Sequence, residues 1–112
     1  MVRAEMRVYV TGPRREEVLR TVRWFMRQME AEPGLQAVDL HQSLERQDQL
    51  VFAHSWRSRE DLEQFVRSDD FVRYLEILDL SEEPPELHFE SVVERQGLEF
   101  VEAVRQEQPM KR

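Results

Sequence analysis

The sequence contains no cysteine and only three glycines. The first absence removes disulfides, thiolate nucleophiles and cysteine-ligated metals. The second leaves nothing from which to build a glycine-rich phosphate loop, because Gly12, Gly34 and Gly97 stand far apart. Lysine is almost absent too, since 15 of the 16 basic residues are arginine. Those arginines alternate with acids, as in Arg14-Arg15-Glu16-Glu17 and Arg57-Ser58-Arg59-Glu60-Asp61, so the basic stripe of a nucleic-acid-binding protein is missing. A net charge of −7 disfavours an anionic membrane surface. There is no apolar run of about 18 residues and no basic start followed by an apolar segment, so the expectation is a soluble cytoplasmic protein.

What is present is charge and a modest apolar content. The 112 residues fit one domain, with 35% charged and 40% hydrophobic residues. Average domains carry roughly 25% charged residues. Small, highly charged chains bury proportionally little surface, and pairing with a second copy would relieve that shortage.

Met6 to Thr11 alternates, with Met6, Val8 and Val10 opposite Arg7, Tyr9 and Thr11, as in a strand with one apolar side. Gly12-Pro13 then opens a helix, with Glu16 and Glu17 placed toward the positive end of its dipole. Val18, Leu19, Val22, Phe25, Met26 and Met29 form its apolar stripe, with Trp24 on the opposite side. Glu32-Pro33-Gly34 ends it. Leu35–Leu44 and Leu50–Trp56 read as strands joined by the turn Glu45-Arg46-Gln47-Asp48. Ser58 and Asp61 resemble a capping box for a short helix through Leu62, Phe65 and Val66. Ser68 reads as the N-cap of another, with Phe71, Val72, Leu75 and Leu78 along its buried side. Glu82-Glu83-Pro84-Pro85 is a loop, Glu86–Glu94 a fourth strand, and a last helix after Gly97 carries Phe100, Val101 and Val104. Residues 106–112 read as a disordered tail.

This order predicts an α+β fold of ferredoxin-like type: a four-stranded antiparallel sheet with helices on one face. Both parities of the middle strands carry apolar residues. Val38, Leu40 and Leu44 oppose Leu35 and Ala37; Leu50, Phe52 and Trp56 oppose Val51 and Ala53. Two covered faces predict helices over one and the sheet of an identical chain over the other, hence a homodimer.

Several short segments then carry a resemblance. Glu32-Pro33-Gly34-Leu35 enters the second strand, Phe52-Ala53-His54-Ser55-Trp56-Arg57-Ser58-Arg59-Glu60-Asp61-Leu62 couples a strand ending in Trp to an acidic helix start, and Ser68-Asp69-Asp70-Phe71 joins two helices. In order and spacing, over about residues 5 to 95, these resemble the antibiotic biosynthesis monooxygenase family. The resemblance implies a dimeric α+β barrel spanning residues 1–105 as a single domain, with a pocket between sheet and helices. It also implies cofactor-independent monooxygenase chemistry on an aromatic phenol or quinol. The family's polyketide oxygenases place an Asn four residues before the third-strand Trp; here Trp56 is matched and Phe52 stands at the Asn position. The haem-degrading members use an Asn on the first strand, a Trp on the second helix and a His on the next. Here those places fall near Thr11, Phe65 and Tyr74-Leu75.

Oxygenation without a cofactor needs an electron-rich anion, a group to take its proton and a dry site. His54 is the candidate base and shares a strand face with Trp56, two residues on; the bland alternative is a half-buried, hydrogen-bonded strand histidine. His41 is a candidate pocket residue. A hairpin turn of two or four residues would set Asp39 and His41 on the face of His54, and a turn of three or five would set them on the other. Phe52, Tyr74, Tyr9 and Arg73 complete the candidate substrate-binding set: an aromatic wall, two phenolic donors and one cation for an anionic ligand. His88 with Glu90 supplies two metal-capable groups without a third at recognisable spacing, so no metal is expected, nor any other cofactor. A non-catalytic ligand-binding or stress-related module is the alternative. A third reading lets the Trp24 face and the tail dock another protein.

Overall fold

Phe52, His54 and Trp56 owe their position to the middle of a four-stranded antiparallel sheet. The computed structural model describes residues 1–107. In chain order its elements are β1 (Val2–Tyr9), α1 (Gly12–Met29), β2 (Leu35–Gln42), β3 (Gln49–Trp56), α2 (Arg59–Arg67), α3 (Asp69–Asp79), β4 (Glu86–Ser91) and α4 (Leu98–Gln106). The strand order is β2-β3-β1-β4, and each neighbouring pair is antiparallel. This is the expected ferredoxin-like α+β fold. Among the described residues, no helix is long and apolar enough to cross a membrane.

The core lies on one side of the sheet. Val2, Ala4, Met6 and Val8 of β1 and Leu50, Phe52, His54 and Trp56 of β3 are buried there, against Val18, Val22, Phe25 and Met29 of α1, Leu62 and Phe65 of α2, and Tyr74 and Ile77 of α3. β1 therefore begins four residues earlier than the Met6 expected from sequence: Arg3 and Glu5 interrupt its apolar reading but lie on the other face. In α3 the buried side is set by Tyr74 and Ile77. Val72 and Leu75, expected inside, are 56% and 43% exposed. Tyr74, expected as a phenolic donor to a ligand, is fully buried. Ser58 caps α2 by accepting from the Asp61 amide at 3.2 Å. Ser68 makes no such cap for α3; its hydroxyl donates back to the Phe65 carbonyl at 2.7 Å. Glu16 and Glu17 fall beyond the first turn of α1. At the other end of the chain, β4 stops at Ser91, Gln106 belongs to α4, and the rest of the expected tail from residue 108 lies outside the described residues.

The second apolar face expected from parity is much thinner than the sequence suggests. The β2–β3 register slips between Leu35 and Ala37, so Leu35 pairs with Trp56 while Val38 pairs with His54. That irregularity turns Leu35 to the same face as Val38 and Leu40. Leu44 lies past β2 in the turn and is 97% exposed. The outer face keeps Ala37, Val51 and Ala53 beside polar residues. On it Arg3 and Arg7 both bond Glu5, at 3.1 and 2.9 Å. Although burial opposes ionisation of Glu5, these two guanidinium groups hold its carboxyl below the usual range.

The corner between α1 and β2 fixes how α2 meets the sheet. Gly34 has φ 81°, in the left-handed region that favours glycine. A Cβ there would collide with the Asp61 carboxyl. Asp61 is held by Arg57 and Ser58, each at 3.0 Å, and the Arg57 amide donates to the Gly34 carbonyl at 2.8 Å. Gly34→Ala is expected to cost about 2 kcal/mol or more, through strained backbone and steric conflict. Urea unfolding would show a lowered midpoint, and an unchanged midpoint would contradict this account of the corner.

Candidate functional site

The alternation of β3 brings Phe52, His54 and Trp56 onto the helix-facing side, and α3 lowers Tyr74 onto them. The Trp56 indole N–H donates to His54 Nδ1 at 2.7 Å, and His54 Nε2 lies 3.0 Å from the Tyr74 hydroxyl. An indole nitrogen can only donate, so Nδ1 must be the unprotonated nitrogen of a neutral imidazole. The ring proton then sits on Nε2 and points to Tyr74. Aromatic rings close around this chain: Trp56 stacks on Phe65 at 5.0 Å, Tyr74 on Phe71 at 5.1 Å, and Phe52 lies 5.5 Å from His54.

Burial sets the electrostatics. His54 is 2% exposed. Desolvation, with a smaller contribution from the charge of Arg3, lowers its pKa from 6.5 to about 4. Desolvation likewise raises the Tyr74 phenol above its ordinary value. The neutral forms of both groups match the hydrogen-bond pattern. Neither imidazole nitrogen is left with an open position for a ligand.

The remaining candidates lie elsewhere. Because Val38 pairs with His54, Asp39 and His41 pair with Ala53 and Val51 on the opposite face. His41 is thus apart from His54, and the Asp39–His54 pair does not form. Tyr9 is also on the outer face, where its hydroxyl donates to Glu86 at 2.6 Å and Arg46 lies 4.5 Å above its ring. Arg73 lies 5.3 Å over Trp24 along a groove between α1 and α3. Phe52 and Tyr74 are therefore the members of the expected substrate-binding set that meet His54 and Trp56. Glu86, rather than Glu90, contacts His88, at 3.2 Å. Among the described residues no group of three or more metal-capable side chains converges.

None of the three principal clefts is lined by His54, Trp56 or Tyr74. One of about 440 Å³ lies between α2 and the β1–β4 edge. Val2, Leu62, Val66 and Phe89 give it an apolar lining, and Arg59, Glu63 and Arg67 stand along its α2 side. Glu63 bonds Arg59 at 2.8 Å and Arg67 at 3.4 Å, so two guanidinium groups share one carboxylate. Arg59, then Arg67, holds Glu63 ionised. Val2 pairs with Trp56 in the sheet and separates the cleft from the buried chain. The sequence reading missed this cleft. Its one readable signal is the i, i+4 series Arg59, Glu63, Arg67; the meeting of Val2 with Phe89 depends on strand order.

The model of the antibiotic biosynthesis monooxygenase family matches residues 1–77. The chain belongs to that family. No curated protein matches it. Among solved structures, the Rv0793 protein of Mycobacterium tuberculosis has a TM-score of 0.74 at 18% identity, covering 86% of this chain and 98% of its own. A Deinococcus radiodurans protein that bears the family name provisionally has a TM-score of 0.78 at 8% identity, covering 87% and 97%. A structure named antibiotic biosynthesis monooxygenase has a TM-score of 0.71 at 18% identity, covering 84% and 100%. At these identities the likeness shows the shared fold. The monooxygenase-family match ends within α3, so β4 and α4, which supply Phe89 and the last helix, lie beyond it.

The neutral His54 makes a signed prediction about stability. The unfolded histidine takes up a proton as pH falls below about 6.5, whereas the folded one resists until about 4. Stability should therefore fall as pH drops through this window, by about 2 kcal/mol between pH 6.5 and 5. Urea unfolding at several pH values measures it, and His54→Gln should flatten the slope. Trp56→Phe removes the donor and strands Nδ1, costing about 1–3 kcal/mol at neutral pH.

Proposed function

We propose that this family member is a cofactor-independent monooxygenase-like protein whose flat phenol- or quinol-type ligand seats in the cleft between α2 and the β1–β4 edge. The observation carrying this reading is the pairing of an apolar lining with two arginines that share one carboxylate. An aromatic ring would rest against Val2, Leu62, Val66 and Phe89. A phenolate oxygen would face Arg59 and Arg67. Opposite charge within about 4–6 Å lowers an acid's pKa by roughly 1–3 units, so the arginines favour the anion and its proton can leave to water at the open mouth. The anion is the form that reacts with oxygen. In oxygenation of an activated ring methylene, one oxygen atom becomes the product carbonyl and the other leaves as water with the two displaced hydrogens. All the electrons come from the substrate. His54 then acts by positioning Trp56 and Tyr74, not as the base.

The occupied nitrogens and low pKa of His54 favour a second reading, a ligand-binding module that does not oxygenate. In either reading we propose a homodimer. Family members are generally dimeric, and the outer sheet face carries mixed charge that a two-fold axis can match: Arg3 beside Glu90, Glu5 beside His88 and Arg7 beside Glu86. A cytoplasmic location suits this cysteine-free chain.

Oxygen uptake with hydroquinones and polycyclic phenols, without added cofactor, tests the leading reading. Uptake should exceed the spontaneous rate. Val66→Trp, which fills the cleft, and Arg59→Gln combined with Arg67→Gln should each lower it about tenfold, corresponding to about 1.4 kcal/mol of lost transition-state stabilisation. Uptake insensitive to both changes would reject the cleft as the site. Binding without uptake across the panel would favour the ligand-binding module.

A further inference from the structure

The last helix has no role in the fold just described. Every residue of α4 is exposed. Yet Phe100, Val101 and Val104 make a stripe at helical spacing and remain 52%, 46% and 50% exposed. A helix of nine residues is too short to persist in water by its own propensity. The stripe therefore calls for a covering surface.

The same chain carries an apolar surface that also lacks a cover. Over the cleft between α2 and the β1–β4 edge, Val66 and Phe89 are 39% and 48% exposed. The cleft lining reaches Ser91, the residue from which the connection 92–97 departs toward α4. Even so, no residue of α4 lines the cleft of its own chain. The chain extends to 57 Å along one axis and 21 Å along another.

We propose that α4 of a second copy of this chain lies across the mouth of the cleft, with its Phe100, Val101 and Val104 stripe facing Val66 and Phe89. The exchange is reciprocal, so one two-fold axis covers two helices and two clefts without a third component. Charge supports this occupant. Glu107 continues the stripe one turn beyond Val104 and Arg105 flanks it, while the cleft presents Arg59 and Arg67 around Glu63. The end of the helix and α2 thus both carry charges of each sign that can pair across the contact. The partner's helix would extend the apolar wall of the site along its open side while leaving the mouth in reach of water. That consequence rests on the ligand reading above; the docking itself does not.

The absence of native cysteine permits a direct test. Full-length chains carrying Val66→Cys and, separately, Val104→Cys are mixed and oxidised. Both positions are exposed, and circular dichroism checks that each variant keeps its fold. A disulfide joining one chain of each kind is expected, and adding Phe100→Glu to the Val104→Cys chain should remove most of it. A single chain carrying both cysteines that closes only on itself would show α4 folding back, and would overturn the exchange. Absence of any cross-link in folded mixtures would overturn it as well. No substrate takes part, so a failed oxygenation assay leaves this outcome readable.

Discussion

Burying an indole N–H requires an acceptor, and in this protein the acceptor is the imidazole of His54. Trp56 donates to Nδ1, which leaves the ring proton on Nε2 and aims it at Tyr74. The arrangement works only with a neutral histidine, because a doubly protonated ring would oppose one N–H with another. Burial supplies that condition by disfavouring the charge. Phe65 and Phe71 then stack on the two ends of the chain, tying α2 and α3 to the centre of the sheet through side chains that have few alternative positions.

This constraint separates two properties that a strand histidine beside a tryptophan could suggest. A general base needs a lone pair open to its substrate and a pKa near the working pH. His54 has neither. Its lone pair is engaged inside the core, and its affinity for protons is weakened. One strand away, across Val2, Arg59, Glu63 and Arg67 border an apolar cleft. Under the proposed function, the buried chain keeps the wall rigid and the cleft receives the ligand. The helix proposed to arrive from a second copy would extend the apolar wall along the open side.

Much of the fold could be read from residue order. The strand alternation of Leu50 to Trp56, the Ser58 cap and the Glu32-Pro33-Gly34 corner each have a local cause, and each appears where expected. The face assignments in β2 could not be read so, because they rest on the length of the hairpin turn and on one register slip beside Leu35. The hairpin register, which sets Val38 opposite His54, placed His41 away from His54, and the slip thinned the apolar outer face by turning Leu35 off it. Tyr74 was legible as a phenol near the pocket but not as a buried partner of His54, since its depth depends on how α3 packs. The cleft escaped because its lining comes from β1, α2 and β4, which only the strand order β2-β3-β1-β4 brings together. Family resemblance pointed to the fold and to Trp56, and the residues around Trp56 then had to be read on their own terms.

The central claim is that His54 is held neutral, with Nδ1 accepting from Trp56 and Nε2 donating toward Tyr74. Nitrogen-15 NMR of the imidazole, followed from neutral pH down to the onset of unfolding, measures this directly. The account predicts a single tautomer protonated at Nε2 that stays uncharged through pH 5. Titration of His54 near 6.5, or a proton found on Nδ1, would contradict it and return the ring to the pool of groups available for acid–base chemistry.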